Sequence, residues 1–121
     1  MTELNLQNVY CSDYSTDYLV NNLTVNIRKL NLRGINIKDH HLKILVTRCN
    51  KLTELNLHYT KVSNESVNHI LAYLQSTLEK LYIRRRIGDL DLVKLFELKS
   101  MKNLKLLELR GHNESDFPWL D

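Results

Sequence analysis

The sequence predicts an α/β solenoid, a horseshoe-like arc of about five strand–helix repeats whose strands form one parallel sheet on the concave face. Three observations predict it. The pair Leu-x-Leu or Leu-x-Ile recurs with its first residue at Leu4, Leu30, Leu55, Leu81 and Leu107, at steps of 26, 25, 26 and 26 residues, and a fixed period of this length is the mark of a stacked array. Within each copy the apolar pattern changes from alternation to helical spacing. Leucine supplies 24 of the 121 residues, while glycine (3), proline (1) and tryptophan (1) are scarce. The whole chain, 1–121, reads as a single domain with repeats starting near 4, 30, 55, 81 and 107.

Each strand is short: three to five residues around an anchor alternate apolar and polar, as a strand with one buried face does. Helices are expected near 15–25, 39–49, 63–77 and 89–99. In the first, Asp13 or Ser15 is the candidate cap and Tyr18, Leu19 and Leu23 face inward. In the second, Asp39 caps and Leu42, Leu45, Val46 and Cys49 form the stripe. The third is the clearest, with Val67, Ile70, Leu71 and Leu74 at i, i+3, i+4 and i+7. Ser63 or Asn64 can cap it, and Glu65 suits the positive end of the helix dipole. Asp89 caps the fourth, over Leu92, Leu95 and Phe96. Phe117, Trp119 and Leu120 are placed to fold over the last repeat, and the N-terminal end has no visible cover. One strand and one helix cannot enclose a core, so the leucines are buried only when units stack.

The Leu-x-x-Leu-x-Leu core, matched over essentially the whole chain, resembles that of leucine-rich repeat proteins, and the length with a full helix resembles their intracellular branches. More narrowly, "INIKDHHLKILVTRCNKLTELNL" (35–57) is similar to the cysteine-containing repeats of F-box/leucine-rich-repeat proteins: Ile37 and Asp39, Leu42 and Leu45, then Cys49 followed by Leu52, Leu55 and Leu57. Thr24, Gln75 and Met101 stand where the other repeats of that family carry cysteine, and the 121 residues contain no F-box. The resemblance implies the substrate-recognition part of an SCF-type ubiquitin ligase, working with a separate adaptor.

Other classes find no support. No apolar run reaches the ~18 residues of a membrane span, and "MTELNLQN" lacks the basic and apolar regions of a signal peptide. Cys11 and Cys49 suggest neither a disulfide framework nor a zinc site. Sequons at Asn22, Asn64 and Asn113 arise readily in an Asn-rich chain, so the expected location is cytoplasmic and/or nuclear. Gly34, Gly88 and Gly111 follow strands and read as turn residues, and no nucleotide-binding loop can be built from them. His40, His41 and His69 read as exposed helix positions, and Cys49 as a small core residue. The expectation is a non-enzyme with no cofactor and no metal.

What remains is the face of the sheet opposite the leucines, read as three columns. Glu3, Lys29, Glu54, Lys80 and Leu106 alternate in sign, which a structural role explains. Asn5, Asn31, Asn56, Tyr82 and Glu108 offer amides, a phenol and a carboxylate. Gln7, Arg33, His58, Arg84 and Arg110 gather positive charge, with Arg85 and Arg86 adjoining. Close cations in water repel by roughly 1 kcal/mol per pair. Either the side chains splay into solvent or the column meets an acidic partner, and arginine suits bidentate capture of carboxylate. The expected partner site is therefore Asn31, Arg33, Asn56, His58, Tyr82, Arg84, Glu108 and Arg110, taking an acidic segment of another protein. Nucleic acid is the alternative that a net charge of +3 and a pI near 8.9 allow, though acidic residues alternate with basic ones outside the third column. A third is self-association as a fragment of a larger repeat protein.

Overall fold

A computed structural model describes residues 2–84 and 92–110. Strands β1 (Glu3–Asn5), β2 (Lys29–Asn31), β3 (Glu54–Leu57), β4 (Lys80–Arg84) and β5 (Leu106–Arg110) alternate with helices α1 (Asp13–Asn21), α2 (Asp39–Arg48), α3 (Asn64–Leu74) and α4 (Leu92–Lys99). The strands form one sheet in chain order, every neighbouring pair parallel. A parallel pair needs a crossover, and here each crossover contains a helix. The anchors Leu4, Leu30, Leu55, Leu81 and Leu107 lie directly opposite one another, so the sequence repeat and the sheet register coincide.

One carbonyl at each strand start locks that register. Thr2 C=O accepts the N–H groups of Arg28 and Lys29 (2.7 and 3.0 Å), Arg28 C=O those of Thr53 and Glu54 (2.7 and 3.1 Å), Thr53 C=O those of Glu79 and Lys80 (2.7 and 3.0 Å), and Glu79 C=O those of Lys105 and Leu106 (2.7 and 3.1 Å). At the strand ends the chain turns through left-handed backbone at equivalent places: Asn8 (φ 61°), Gly34 (φ 80°) and Tyr59 (φ 60°). Gly34 is the residue the turn demands, since a Cβ there would also collide with the Asn8 side chain.

The strand leucines and the inner stripes of the helices make one core, running from Val20 through Leu55 and Ile70 to Leu98 and Met101. Cys49 belongs to it and is fully buried. Its Sγ–H donates to Thr24 C=O at 3.3 Å. Burial raises the thiol's pKa against the opposing charge of Arg48, so it remains a protonated packing group.

Several helix expectations are corrected. Tyr18 is 66% exposed and Phe96 56% exposed. In α1 the inward face is Thr16 and Val20, with Leu19 partly buried; in α4, Leu95 and Leu98 are buried. Periodicity alone fixes a stripe only to within one residue of rotation, and the neighbouring helix selects which edge is covered. Ser12, not Asp13 or Ser15, caps α1, its Oγ accepting from Ser15 N–H. Asp39 does not cap its own helix, because its carboxylate accepts from Ser63 N–H (2.8 Å), Ser63 Oγ–H (2.6 Å) and Ser66 Oγ–H of the next repeat. Burial opposes ionisation there, and these donors outweigh it, holding the carboxyl below its ordinary range. Asp13 acts likewise, accepting from Asn36 Nδ2 at 2.6 Å and pairing with Lys38 at 3.2 Å. The expected cap Asp89, the turn glycines Gly88 and Gly111, and the C-terminal cover of Phe117, Trp119 and Leu120 lie outside the described residues.

Leu55 is fully buried with an anchor on either side. Leu55→Ala is expected to lower stability in urea melts by roughly 2–5 kcal/mol, and a loss under about 1 kcal/mol would contradict its place in the core.

Candidate functional site

The open face of the sheet carries the three columns, and the strand pairing brings the first two into line as residues directly opposite one another. In the first, Lys29 Nζ lies 3.3 Å from Glu3 and Lys80 Nζ 3.6 Å from Glu54. These exposed pairs are worth ~0.2–1 kcal/mol at most. Leu106, the one apolar member, is 39% exposed.

The second column is built by turns. Asn5 Oδ1 accepts the N–H of Gln7 (2.9 Å), Asn31 Oδ1 that of Arg33 (3.0 Å) and Asn56 Oδ1 that of His58 (3.0 Å). Asparagine suits this place because its side chain can close a turn onto the backbone two residues on. The three amides are thereby oriented with oxygen toward the chain and nitrogen away from it. Asn31 Nδ2 donates to Gln7 Oε1 at 3.1 Å. Tyr82 and Glu108 continue the column, both partly buried. A trough of about 580 Å³ runs along the column and its neighbours from Asn5 past Asn31 and Asn56 to Tyr82.

The third column is not a uniform cationic stripe. His58, expected at the surface, is only 2% exposed. Its ring stands edge-on to Tyr82 (5.9 Å) and near Tyr59 (6.2 Å), and its Nε2 is 3.8 Å from Glu108 Oε1. Strand β3 ends at Leu57, so simple alternation stops before residue 58, and larger neighbours close over it. Arg33 lies over the Tyr59 ring at 4.9 Å, a cation–π contact. Arg84 and Arg110 sit opposite each other on β4 and β5; Arg85 and Arg86 lie outside the described residues. The structure thus groups Asn31, Asn56 and Tyr82 around one trough and adds Asn5 to them, sets Glu108 opposite Tyr82 on β5, places Arg33 on the Tyr59 ring beyond the strand ends, and removes His58 from the exposed set.

His41, also expected at the surface, is fully buried between α1 and α2. Its Nδ1 accepts the Lys38 N–H at 3.0 Å, doing at the third helical position what Glu or Gln does in a capping box. Its Nε2 lies 2.8 Å from Asp17 Oδ1, and His40 Nε2 is 3.8 Å from the same oxygen. Asp17, His40 and His41 are the group among the described residues whose ligand atoms converge enough to suggest a metal. The hydrogen bond to Nδ1 argues otherwise: it leaves the proton of the neutral ring on Nε2, so that nitrogen faces Asp17 as a donor and has no lone pair for a metal.

Comparison with models of known protein families finds none that matches the chain, and no curated protein matches it. Among the described residues, no helix is long and apolar enough to cross a membrane.

The His41 geometry sets a pH dependence. Burial first, and the neighbouring His40 second, lower the His41 pKa from 6.5, against the pull of Asp17 and Asp13. The folded state thus binds its proton at lower pH than the unfolded chain does. Its contribution to stability is complete above about pH 6.5 and is lost as pH falls toward the lowered value. His41→Gln keeps an acceptor for the Lys38 N–H. The wild type should lose urea resistance between about pH 7.5 and about 5 relative to this variant, and parallel curves for the two proteins would refute the assignment.

Proposed function

We propose that this chain is a leucine-rich repeat module that binds a segment of another protein along the concave side of a curved sheet. The observation that carries the reading is the open face itself. Strands β1 to β4 present polar side chains around one continuous trough, with β5 in register beside them, while Leu30, Leu55, Leu57, Leu81 and Ile83 of the same sheet lie in the core. A parallel sheet backed by helices offers many side chains on a rigid frame without an enclosed pocket. The resemblance of residues 35–57 to F-box/leucine-rich-repeat proteins supports a setting in the cytoplasm or nucleus as the substrate-recognition part of an SCF-type ubiquitin ligase. No catalytic step, cofactor or metal belongs to this reading.

The partner segment is acidic. Arg33 is held as a planar cation over Tyr59, and Arg84 and Arg110 occupy opposed positions on adjacent strands. Strands lie ~4.8 Å apart, so these register positions bring two arginines to neighbouring places in the sequence of columns, and arginine suits bidentate capture of a carboxylate.

A fluorescein-labelled glutamate-rich decapeptide should bind with an affinity that weakens as salt rises, since exposed charges are screened over about 8–10 Å at physiological ionic strength. The double reversal Arg84→Glu/Arg110→Glu should abolish that binding with the Tm changed by no more than a few degrees. Tighter binding of an oligonucleotide, with a salt dependence steepened in proportion to the phosphates contacted, would replace the protein partner by nucleic acid.

A further inference from the structure

We propose that two copies of this chain join through strand β1, paired antiparallel with itself across a twofold axis normal to the sheet, so that Glu3 of each copy lies opposite Asn5 of the other. The inference is independent of what the open face binds.

It begins with an unpaired edge. Thr2 C=O accepts from Lys29 N–H, and Leu6 N–H donates to Asn31 C=O, so residues 2, 4 and 6 turn their main-chain groups toward β2 while Glu3 and Asn5 turn theirs away from it. Among the described residues β2 is the one strand beside β1. A row of N–H and C=O groups left at a sheet edge is a template for a further strand. The apolar layer at this end is incomplete in the same way. Leu4, Leu6 and Leu19 are only partly buried, whereas Leu30, Leu32 and Leu45, which stand at the matching places of the second repeat, are buried. A recess of about 350 Å³ opens beside them, lined by Leu4, Asn22, Thr24, Asn26 and Ile27.

The edge is complementary to itself, which selects a second copy. With the axis passing through Leu4, Glu3 of one copy and Asn5 of the other exchange N–H and C=O bonds, and the symmetric pair does the same. Every outward main-chain group of β1 is then satisfied. Between these pairs the two Leu4 residues form a close pair without hydrogen bonds, with Cα atoms ~4.5 Å apart and side chains on the core side, so each covers the other. On the open face the Glu3 carboxylate meets the Asn5 amide across the axis, at the ~5 Å Cβ separation of a cross-strand pair. Asn5 Oδ1 is taken by Gln7 N–H, so the amide turns its nitrogen to the carboxylate. Glu3 is thereby flanked by Lys29 of its own copy, at 3.3 Å, and by a donor of the other, and no two carboxylates stand opposite. A head-to-tail arrangement, with β5 of one copy beside β1 of the next, would continue the repeat but set Glu3 against the apolar Leu106 and never close. An axis normal to the sheet keeps both open faces on one side. The two troughs, each bounded by Glu3 and Asn5, then meet at the axis.

The test is the mass of the whole chain in sedimentation equilibrium as its concentration rises. It should climb from 14.3 kDa to twice that value and stop. Glu3→Pro removes the N–H that each copy donates across the axis, at the first strand residue, where a sheet tolerates proline. It should weaken association at least about tenfold, the value of the two hydrogen bonds lost by symmetry, with the Tm changed by no more than a few degrees. Position is read separately, in a Cys11→Ser background: Leu4→Cys should form a disulfide between copies under mild oxidation by copper phenanthroline, since the paired Cα atoms fall within disulfide range, and Lys29→Cys, one strand away, should not. The proposal is overturned by a mass that stays at 14.3 kDa up to about 100 μM, by a mass that grows past the dimer, by undiminished dimerisation of a folded Glu3→Pro variant, or by cross-linking no greater at Leu4→Cys than at Lys29→Cys. If Glu3→Pro unfolds, the mass of the wild type and the cross-link decide.

Discussion

Everything in this molecule depends on backbone groups that one repeat cannot satisfy and the next one can. The carbonyls of Thr2, Arg28, Thr53 and Glu79 each accept two N–H groups from the following strand. A buried or half-buried peptide group left without a partner is costly, so a lone strand–helix unit is incomplete in its hydrogen bonding as well as in its core. The pairs joined are about one repeat apart in sequence. Stability is therefore a property of neighbouring units taken together. The same lock makes the open face possible, since a slip of one residue would turn the leucines outward and the columns in.

Polar side chains repeat this logic on the helical side. Asp13 reaches Asn36 and Lys38, and one repeat later Asp39 reaches Ser63 and Ser66. At the helix ends Arg48 Nε donates to Leu23 C=O, Cys49 Sγ to Thr24 C=O, and Asn103 Nδ2 to Ser76 C=O. Acidic residues at helix starts are usually read as serving their own helix dipole. Here their carboxylates accept hydrogen bonds from the next unit as well. The cysteine that carries the F-box/leucine-rich-repeat resemblance has a local physical role too, as a small apolar side chain with one weak donor aimed at the preceding loop.

The turn after each strand connects this frame to the open face. Each asparagine of the second column closes a turn, and the residue at the left-handed position follows: Asn8, Gly34 and Tyr59. A tyrosine with positive φ carries a local strain of about 1–2 kcal/mol. In the third repeat the ring so placed lies beneath Arg33 and beside His58, joining the turn of one repeat to the charge of its neighbour. The asparagines thus serve as turn residues through oxygen while their amide nitrogens stay on the open face, so one ladder both supports the fold and sets the polar character of that face.

The five anchors, the parallel order of the strands, the alternating ion pairs of the first column and the burial of Cys49 were legible in the sequence, because each follows from a period and a period is local information. The identity of the second column was legible for the same reason. The bond by which Asn31 Nδ2 donates to Gln7 was not, since it depends on two neighbouring repeats meeting. His41 and His58 were misread as surface residues for a related reason: hydrophobic periodicity places a polar residue outside, whereas a neighbouring repeat can bury it by supplying a partner. For His41 the partners are the Lys38 amide and Asp17 of the preceding helix; for His58 they are Tyr59, Tyr82 and Glu108. Tyr18 and Phe96 erred in the opposite sense, with apolar rings left outside because the adjacent helix covers the other edge of the stripe. The sequence by itself determined what recurs, the core and the register of the sheet. Only the tertiary structure decided what each repeat does to its neighbour, because hydrogen bonds and burial between units depend on distances that no single period encodes.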